Sequence, residues 1–226
     1  MPVIGRRELG LFVAVVLLWG VNWPMMKMAL AELNFWVFRS YCIAAGLLWF
    51  VAFNLKRGVP LTLPREHWGR MLVCALCNVA AWNILSAAAL TMLPSGRAGV
   101  LAYTMPLWVV LLSRVFLGEV LTPSRIAAIS IGMGGIALLL VDEFQALRGA
   151  PVAALMMVAS GLLWAVGIVL FKGFPKSIPT TTLMIWSFVL GGWPLFAGLA
   201  LFGHGPWLPV AASAWAGLLF NVLVVF

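Results

Sequence analysis

Residues 17–27 read LLWGVNWPMMK and lie near the end of an apolar run that extends from about Leu9 to Leu30. No charged residue interrupts this run before Lys27. Because an α-helix rises about 1.5 Å per residue, roughly 20 apolar residues cross the hydrocarbon core of a bilayer. The run therefore predicts a membrane-spanning helix, in which Pro24 bends the chain and Asn22 needs a polar partner.

Residues 162–172, LLWAVGIVLFK, repeat this pattern 145 residues later. In each segment two leucines precede a tryptophan, Trp19 or Trp164, and a lysine follows that tryptophan by eight residues. Five predicted spans fit into one period, and an odd number inverts the second copy across the membrane. Inverted repeats are typical of secondary transporters, which alternate access around a site near the bilayer midplane. A chance likeness between two leucine-rich helices is the alternative interpretation.

The composition of the whole chain also indicates a membrane protein. Of the 226 residues, 64% are hydrophobic and only 9% are charged, whereas about 25% of the residues in a soluble domain are charged. The mean hydropathy is +1.10, so most of the surface must face hydrocarbon. We predict an all-α polytopic membrane protein with about seven to eight spans, at residues 9–30, 34–55, 67–91, 95–117, 123–142, 150–171, 180–202 and from 209 onward.

The repeat divides the chain into two predicted units. Residues 1–145 form the first five-helix repeat, and residues 146–226 form a second repeat that is incomplete at its C-terminus. Doubling a unit of about 145 residues predicts about 290 residues and ten spans. We therefore expect the sequence to be a truncated part of a longer protein.

The basic residues indicate how the chain is oriented in the membrane. If the N-terminus is cytoplasmic, ten of the 14 lysines and arginines fall on the inner side and four on the outer side. The positive-inside rule then predicts a cytoplasmic N-terminus. Because these residues are spread between apolar segments, we expect a lipid bilayer and no nucleic acid as partner; the oligomeric state stays open.

The first predicted span contains three candidate substrate-binding residues, Trp19, Asn22 and Trp23. A bent helix with an amide and two indoles could line a cavity for a small organic substrate. Trp164, the repeat partner of Trp19, is a fourth candidate, and pairing the two across a pseudo-two-fold axis would place both indoles near the midplane. The alternative is that the asparagine packs between helices and the tryptophans anchor the membrane interface.

Two further spans offer polar or aromatic candidates. Asn78, Trp82 and Ser86 recur every four residues and share one face of the predicted third span, with Asn83 adjacent. A polar stripe on an apolar helix faces the bundle interior or water rather than lipid. Tyr103 lies in the middle of the predicted fourth span and needs a hydrogen-bond partner there. We predict that Asn78, Trp82 and Tyr103 bind substrate, although serine and asparagine also join helices to one another.

Lys27 and Arg39 are the two basic residues that fall within the predicted membrane boundaries. Charges at that depth are costly and often functional. We predict a gating or charge role, in which the two cations draw a substrate carboxylate toward the outer mouth. The alternative is that both side chains reach up to the membrane surface.

The six acidic residues and two histidines all fall at predicted helix ends or in loops. We therefore expect no enzyme, no metal site and no cofactor, because no acid–base or ligand cluster lies within a span. A carrier coupled to protons usually needs a titratable group in its pathway, so facilitated diffusion or exchange is favoured. A channel or a structural assembly subunit is the rival class.

Five motifs give the chain a resemblance to a known family. They are WGVNW (19–23), FR (38–39), GVLAYTMPLW (99–108), LGEVLT (117–122) and IGMGG (131–135). Together they resemble the EamA-type drug/metabolite transporter superfamily, most closely its bacterial inner-membrane exporters of amino acids and related metabolites. The likeness covers essentially the whole chain, but Val120 stands where some relatives have arginine.

This resemblance implies ten helices in two repeats around a central cavity. It also implies export of small metabolites, with amino acids as the first expectation and sugars, nucleosides or drugs as alternatives. Alternating access between the two repeats is the implied mechanism.

Overall fold

A computed structural model describes residues 5–141 and 150–225, and within these ranges every regular element is a helix. In chain order the α-helices are α1 (Arg6–Leu30), α2 (Phe35–Arg57), α3 (Trp68–Ala75), α4 (Trp82–Met92), α5 (Ser95–Ala102), α6 (Met105–Leu117), α7 (Pro123–Val141), α8 (Pro151–Lys172), α9 (Thr180–Phe202) and α10 (Ala212–Phe220).

The predicted all-α membrane class is confirmed. Among the described residues, six stretches are long and apolar enough to cross a bilayer: Arg7–Leu30, Phe35–Arg57, Arg65–Met92, Ser95–Leu117, Pro151–Lys172 and Thr180–Phe202. The 19-residue α7 occupies the fifth predicted span, whose expected last residue, Asp142, lies outside the described residues. The shorter apolar stretch Ala212–Val225 corresponds to the span predicted from residue 209.

Many large apolar side chains lie on the outside of the helix bundle, which is consistent with the high hydrophobic content of the chain. Val13, Leu48, Val115 and Leu155 are 46%, 70%, 73% and 70% exposed. Exposed apolar groups cost free energy in water but none in hydrocarbon. These helix faces are therefore suited to contact lipid.

The span predicted over 95–117 is present, but it contains a break. The chain leaves helical geometry at Tyr103 and Thr104 and resumes it at Met105. Pro106 has no N–H to donate to the carbonyl four residues earlier, which belongs to Ala102. The Thr104 hydroxyl instead donates to the Leu101 carbonyl at 2.8 Å, so the break falls one turn before the proline.

Two segments have π-helical rather than α-helical geometry. Leu76–Ala81 joins α3 to α4 within one continuous rod, and Asn221–Val225 continues α10. A π turn holds one residue more than an α turn, and such turns are frequent at functional sites. Asn221 follows Leu76 by 145 residues, which is also the interval between Trp19 and Trp164.

Close helix packing around the first π segment holds the centre of the bundle together. A Cβ atom added to Gly191 of α9 would lie 2.5 Å from the Ala75 carbonyl oxygen and 2.6 Å from the Val79 side chain. Only glycine permits this approach. α9 consequently lies directly against the segment that contains Asn78, a predicted substrate-binding residue.

Candidate functional site

A cavity of about 320 Å³ lies between α1, α2, the first π segment, α4, α8 and α9. Seven of the nine predicted site residues line it: Trp19, Asn22, Trp23, Arg39, Asn78, Trp82 and Trp164. The structure therefore brings together residues from four of the predicted spans. Tyr103 and Lys27, the other two, lie elsewhere.

Four tryptophans form a continuous row along this cavity. The ring centroids of Trp19 and Trp164 are 6.5 Å apart, those of Trp164 and Trp82 are 6.2 Å apart, and those of Trp82 and Trp23 are 6.4 Å apart. All three separations fall in the range of favourable aromatic contact. The row runs from the half-exposed Trp19, at 42%, to the buried Trp23, at 6%, and it gives one wall of the cavity an aromatic surface.

Arg39 gives the cavity a cation. Its side chain is 3% exposed, and its Nη2 atom lies 2.9 Å from the Met26 sulfur and 3.5 Å from the Ser86 hydroxyl. Within the part of the chain that the structure describes, no carboxylate lies within 4.0 Å of it, and its Nε–H has no acceptor. Arg39 thus faces the cavity rather than the membrane surface, with neutral neighbours.

Two asparagines of the rod formed by α3, the π segment and α4 also line the cavity. Asn78 donates from Nδ2 to the Trp164 carbonyl at 3.2 Å, which ties the first π segment to α8. Asn83 is 3% exposed and donates from Nδ2 to the Val79 carbonyl at 2.7 Å. Among the described residues its Oδ1 atom accepts no hydrogen bond. The sequence pattern missed Asn83 as a site residue because it assumed regular α-helical spacing.

The wide π turn explains that difference. With 3.6 residues per turn, Asn78, Trp82 and Ser86 share a face and Asn83 lies beside it. The extra residue of the π segment turns the later part of the rod relative to the earlier part. Both Trp82 and Asn83 consequently reach the cavity. Ser86 instead lies fully buried behind it, where it contacts Arg39.

Lys27 forms hydrogen bonds with backbone carbonyls at the C-terminal end of α4. Its Nζ atom donates to the carbonyl oxygens of Leu90, Leu93 and Thr91 at 2.5, 3.0 and 3.2 Å. Leu90 and Thr91 belong to the last turn of α4, and Leu93 is the residue that follows the helix. Carbonyls at this end of a helix lack helical donors and lie at the negative end of the helix dipole. Lys27 therefore joins the C-terminal end of α1 to that of α4.

Tyr103 lies at the break between α5 and α6 and is 37% exposed. It shares a shallow apolar depression with Val15, Val16 and Trp19. Trp19 thus has the cavity on one side and this depression on the other. The predicted mid-span tyrosine thus lies beside the middle of α1 and does not line the cavity.

Lys172, the predicted repeat counterpart of Lys27, has different partners. Its Nζ atom contacts Glu119 Oε1 at 2.8 Å and Ser113 Oγ at 3.0 Å, and Arg125 lies 3.5 Å from the same carboxylate. The hydrogen bond from Lys172 lowers the pKa of Glu119, which lies between α6 and α7 outside the spans, and the two positive charges act in the same direction. This ion pair joins the two predicted repeats away from the cavity.

A second space, of about 370 Å³, lies between α3, α6 and α8 and is lined almost wholly by apolar side chains with Arg70 at its edge. It contains none of the predicted residues. In the described ranges, no group of three or more histidine, cysteine or acidic side chains is arranged to hold a metal ion. The aromatic cavity with its buried arginine is therefore the candidate site.

Comparison with known proteins identifies the family of the chain. The family model described as the EamA-like transporter family matches residues 6–141. A riboflavin transporter of Rhizobium johnstonii is 31% identical over 190 residues, which cover 80% of this chain and 59% of that protein. The aromatic amino acid exporter YddG of Ancylobacter novellus is 30% identical over 133 residues, which cover 58% of this chain and 46% of that protein.

A solved crystal structure has a similar fold. It aligns with a TM-score of 0.69 and 24% sequence identity over 93% of this chain and 72% of its own length. The chain thus spans about half to three-quarters of the length of the proteins that it matches. The family match covers well over half of the chain, and the family is one of transporters rather than enzymes. This multi-pass membrane protein belongs to the EamA-like transporter family.

Proposed function

We propose that this protein is a secondary transporter that exports small metabolites, foremost amino acids, across the bacterial inner membrane. In this proposal residues 1–145 and 146–226 belong to two inverted repeats, the N-terminus is cytoplasmic, and the cavity opens alternately to the two sides. The seven cavity-lining residues contact the substrate. The 145-residue interval that relates the two π segments and the two tryptophans supports the repeat.

The buried cation of Arg39 is the observation that supports a carboxylate-bearing substrate. Removing a charged group from water costs several kcal/mol unless a partner compensates it, and the described neighbours of Arg39 are neutral. A guanidinium can bind both oxygens of a carboxylate at once. A substrate carboxylate in the cavity would provide the missing negative charge, so binding of the substrate would also neutralise the charge of Arg39.

The row of four indoles supports an apolar or aromatic substrate side chain. Trp19, Trp164, Trp82 and Trp23 offer a surface on which a flat or branched group can pack. An amino acid combines a carboxylate with such a side chain. One relative is itself named an aromatic amino acid exporter.

Riboflavin is a second candidate substrate, because another relative is named a riboflavin transporter. Its flat ring system would stack on the same indoles, but it has no carboxylate for Arg39. The two candidates therefore differ in how strongly they depend on that arginine.

The test is uptake of labelled amino acids and of labelled riboflavin by proteoliposomes that contain the full-length protein. We expect saturable amino-acid flux that falls at least tenfold in Arg39→Gln and stays unchanged in Arg57→Gln, where an exposed arginine at the end of α2 is replaced. Saturable riboflavin flux that is insensitive to Arg39→Gln would favour the second candidate. No flux of either compound would contradict both.

A further inference from the structure

Two of the residues that line the cavity, Asn22 and Asn83, have a side-chain oxygen that lacks a hydrogen-bond donor within the described ranges. Asn83 Oδ1 and Asn22 Oδ1 are both buried, and among the described residues neither accepts a hydrogen bond. The orientation of the Asn83 amide is determined, because its Nδ2 atom donates to the Val79 carbonyl at 2.7 Å. Its oxygen is therefore the free group, on a residue that is 3% exposed. A buried acceptor without a donor costs about 1–3 kcal/mol.

The two oxygens lie on parallel helix segments. Trp23 of α1 contacts Trp82 of α4, and Lys27, further along α1, bonds to Leu90, further along α4. The chain therefore runs in the same direction along α1 and α4. Residues one turn before Met26 on α1 and one turn before Ser86 on α4 consequently lie at a similar depth in the cavity.

The contacts of Arg39 give a common reference from which the positions of both oxygens can be compared. Its Nη2 atom contacts Met26, four residues after Asn22, and Ser86, three residues after Asn83. At about 1.5 Å per residue, the two amides lie roughly 4.5–6 Å along the helices from the guanidinium contacts. Both amides lie on the N-terminal side of these contacts along their helices. The cavity thus has a cation at one level and two uncompensated acceptors one turn away.

We propose that Asn22 and Asn83 form an ammonium-binding subsite, so that the cavity selects zwitterions in which a carboxylate and an amino group are attached to the same carbon. Arg39 binds the carboxylate, and the two Oδ1 atoms accept hydrogen bonds from the ammonium group. A head group with a hydrogen bond of about 2.9 Å at either end spans more than one helical turn. It therefore bridges this axial offset when it lies obliquely between the helices. The side chain of the substrate then extends along the tryptophans.

This inference rests on the proposed function and makes the substrate class more specific. A monocarboxylate without the amino group would satisfy Arg39 but leave both oxygens uncompensated. An amine without the carboxylate would place a cation near Arg39 without a counter-charge. Both analogues should therefore bind more weakly than the amino acid, since sites built to bond a polar group discriminate strongly against ligands that lack it.

The experiment measures competition for binding of labelled L-phenylalanine and labelled L-leucine to the purified full-length protein. The competitors are the unlabelled amino acids, 3-phenylpropanoate and 4-methylpentanoate, which lack the amino group, and 2-phenylethylamine, which lacks the carboxylate. In the wild type we expect each amino acid to compete at least tenfold better than its analogues. Asn83→Leu and Asn22→Leu should each weaken amino-acid competition about tenfold and leave competition by the two carboxylates unchanged.

The unchanged affinity for carboxylates also shows that each variant is folded. Equal competition by amino acids and carboxylates in the wild type would overturn the ammonium subsite while leaving amino-acid transport intact. The same conclusion would follow if Asn83→Leu weakened both classes equally, or if it abolished a dependence of binding on sodium, which would assign the oxygens to a metal cation. Absence of saturable binding of either amino acid would overturn the proposed function together with the subsite.

Discussion

The indole rings of Trp19 and Trp164 lie 6.5 Å apart, edge to face, although 145 residues separate them in the chain. We expect Trp164→Ala to lower substrate affinity about tenfold, because an aromatic contact contributes about 0.5–1.5 kcal/mol beyond the burial of its area. Binding of a labelled substrate to the purified protein measures this effect. Trp49→Ala is the matched control, since Trp49 is 63% exposed on α2 and does not line the cavity.

A double-mutant cycle separates the contact between the two indoles from their contact with substrate. Trp19→Ala, Trp164→Ala and the double variant should show a coupling of about 0.5–1.5 kcal/mol in the free energy of unfolding without ligand. Loss of stability with no change in substrate affinity would mean that the two tryptophans act only in packing.

Lys27 should act on stability rather than on substrate charge. Lys27→Met keeps the apolar stem but removes the donors to Leu90, Thr91 and Leu93. We expect the free energy of unfolding to fall by about 1.5–3 kcal/mol, the range for hydrogen bonds from charged groups. Thermal unfolding in detergent would measure it, with Lys176→Met, at an exposed position, as control. A selective loss of flux for carboxylate substrates in Lys27→Met, at unchanged stability, would instead support a gating role for this lysine.

The ion pair between Glu119 and Lys172 predicts a dependence of stability on acid. Because the pKa of Glu119 is lowered in the folded protein from its ordinary value of 4.5, the carboxylate binds protons more weakly when folded than when unfolded. Its stabilising effect is therefore present above about pH 4.5 and is lost as the pH falls through the folded pKa. The melting temperature measured from pH 3 to pH 7 should fall less steeply toward acid in Glu119→Gln than in the wild type.

Lys172→Met provides a second test of the same pair. It removes the hydrogen bond that contributes most to the lowered pKa of Glu119, so its acid dependence should resemble that of Glu119→Gln. A wild-type slope in both variants would show that this carboxylate does not contribute to the acid sensitivity of the fold.

Gly191 should tolerate no side chain. A Cβ atom there would lie 2.5 Å from the Ala75 carbonyl oxygen, which is backbone and cannot turn away. We expect Gly191→Ala to lower the free energy of unfolding by about 1–3 kcal/mol, the usual cost of overpacking. In the described surroundings of Gly132 no atom lies within 4 Å of an added Cβ, so Gly132→Ala is the control. Equal stability of the two variants would contradict the close contact between α9 and the first π segment.

The sequence alone predicts the spans and most of the cavity, because apolar length and the repeated tryptophan are strong signals. It could not predict three details. The break at Tyr103 precedes Pro106, but Pro24 and Pro194 lie inside continuous helices, so a proline alone does not indicate where a span breaks. The partners of Lys27 are backbone carbonyls, which have no signature in the sequence. Asn83 reaches the cavity because of a π turn, and regular periodicity contains no information about such a turn.

Arg39 illustrates a different limit. Its position near a predicted membrane boundary allows either a surface or a buried cation. Only the packing of Met26 and Ser86 against its Nη2 atom shows the buried arrangement. The choice between these alternatives depends on helices that are distant in the sequence, and therefore on tertiary structure.

The two π segments, Leu76–Ala81 and Asn221–Val225, have a consequence for the history of the protein. Each is equivalent to one residue inserted into an otherwise regular helix, and they begin 145 residues apart. If the chain contains the two proposed inverted repeats and both descend from one duplicated gene, the simplest history places a single insertion before the duplication. The ancestral half-length protein, which would have assembled as an antiparallel pair, then already contained the irregular helix, and both descendants inherited it in opposite orientations.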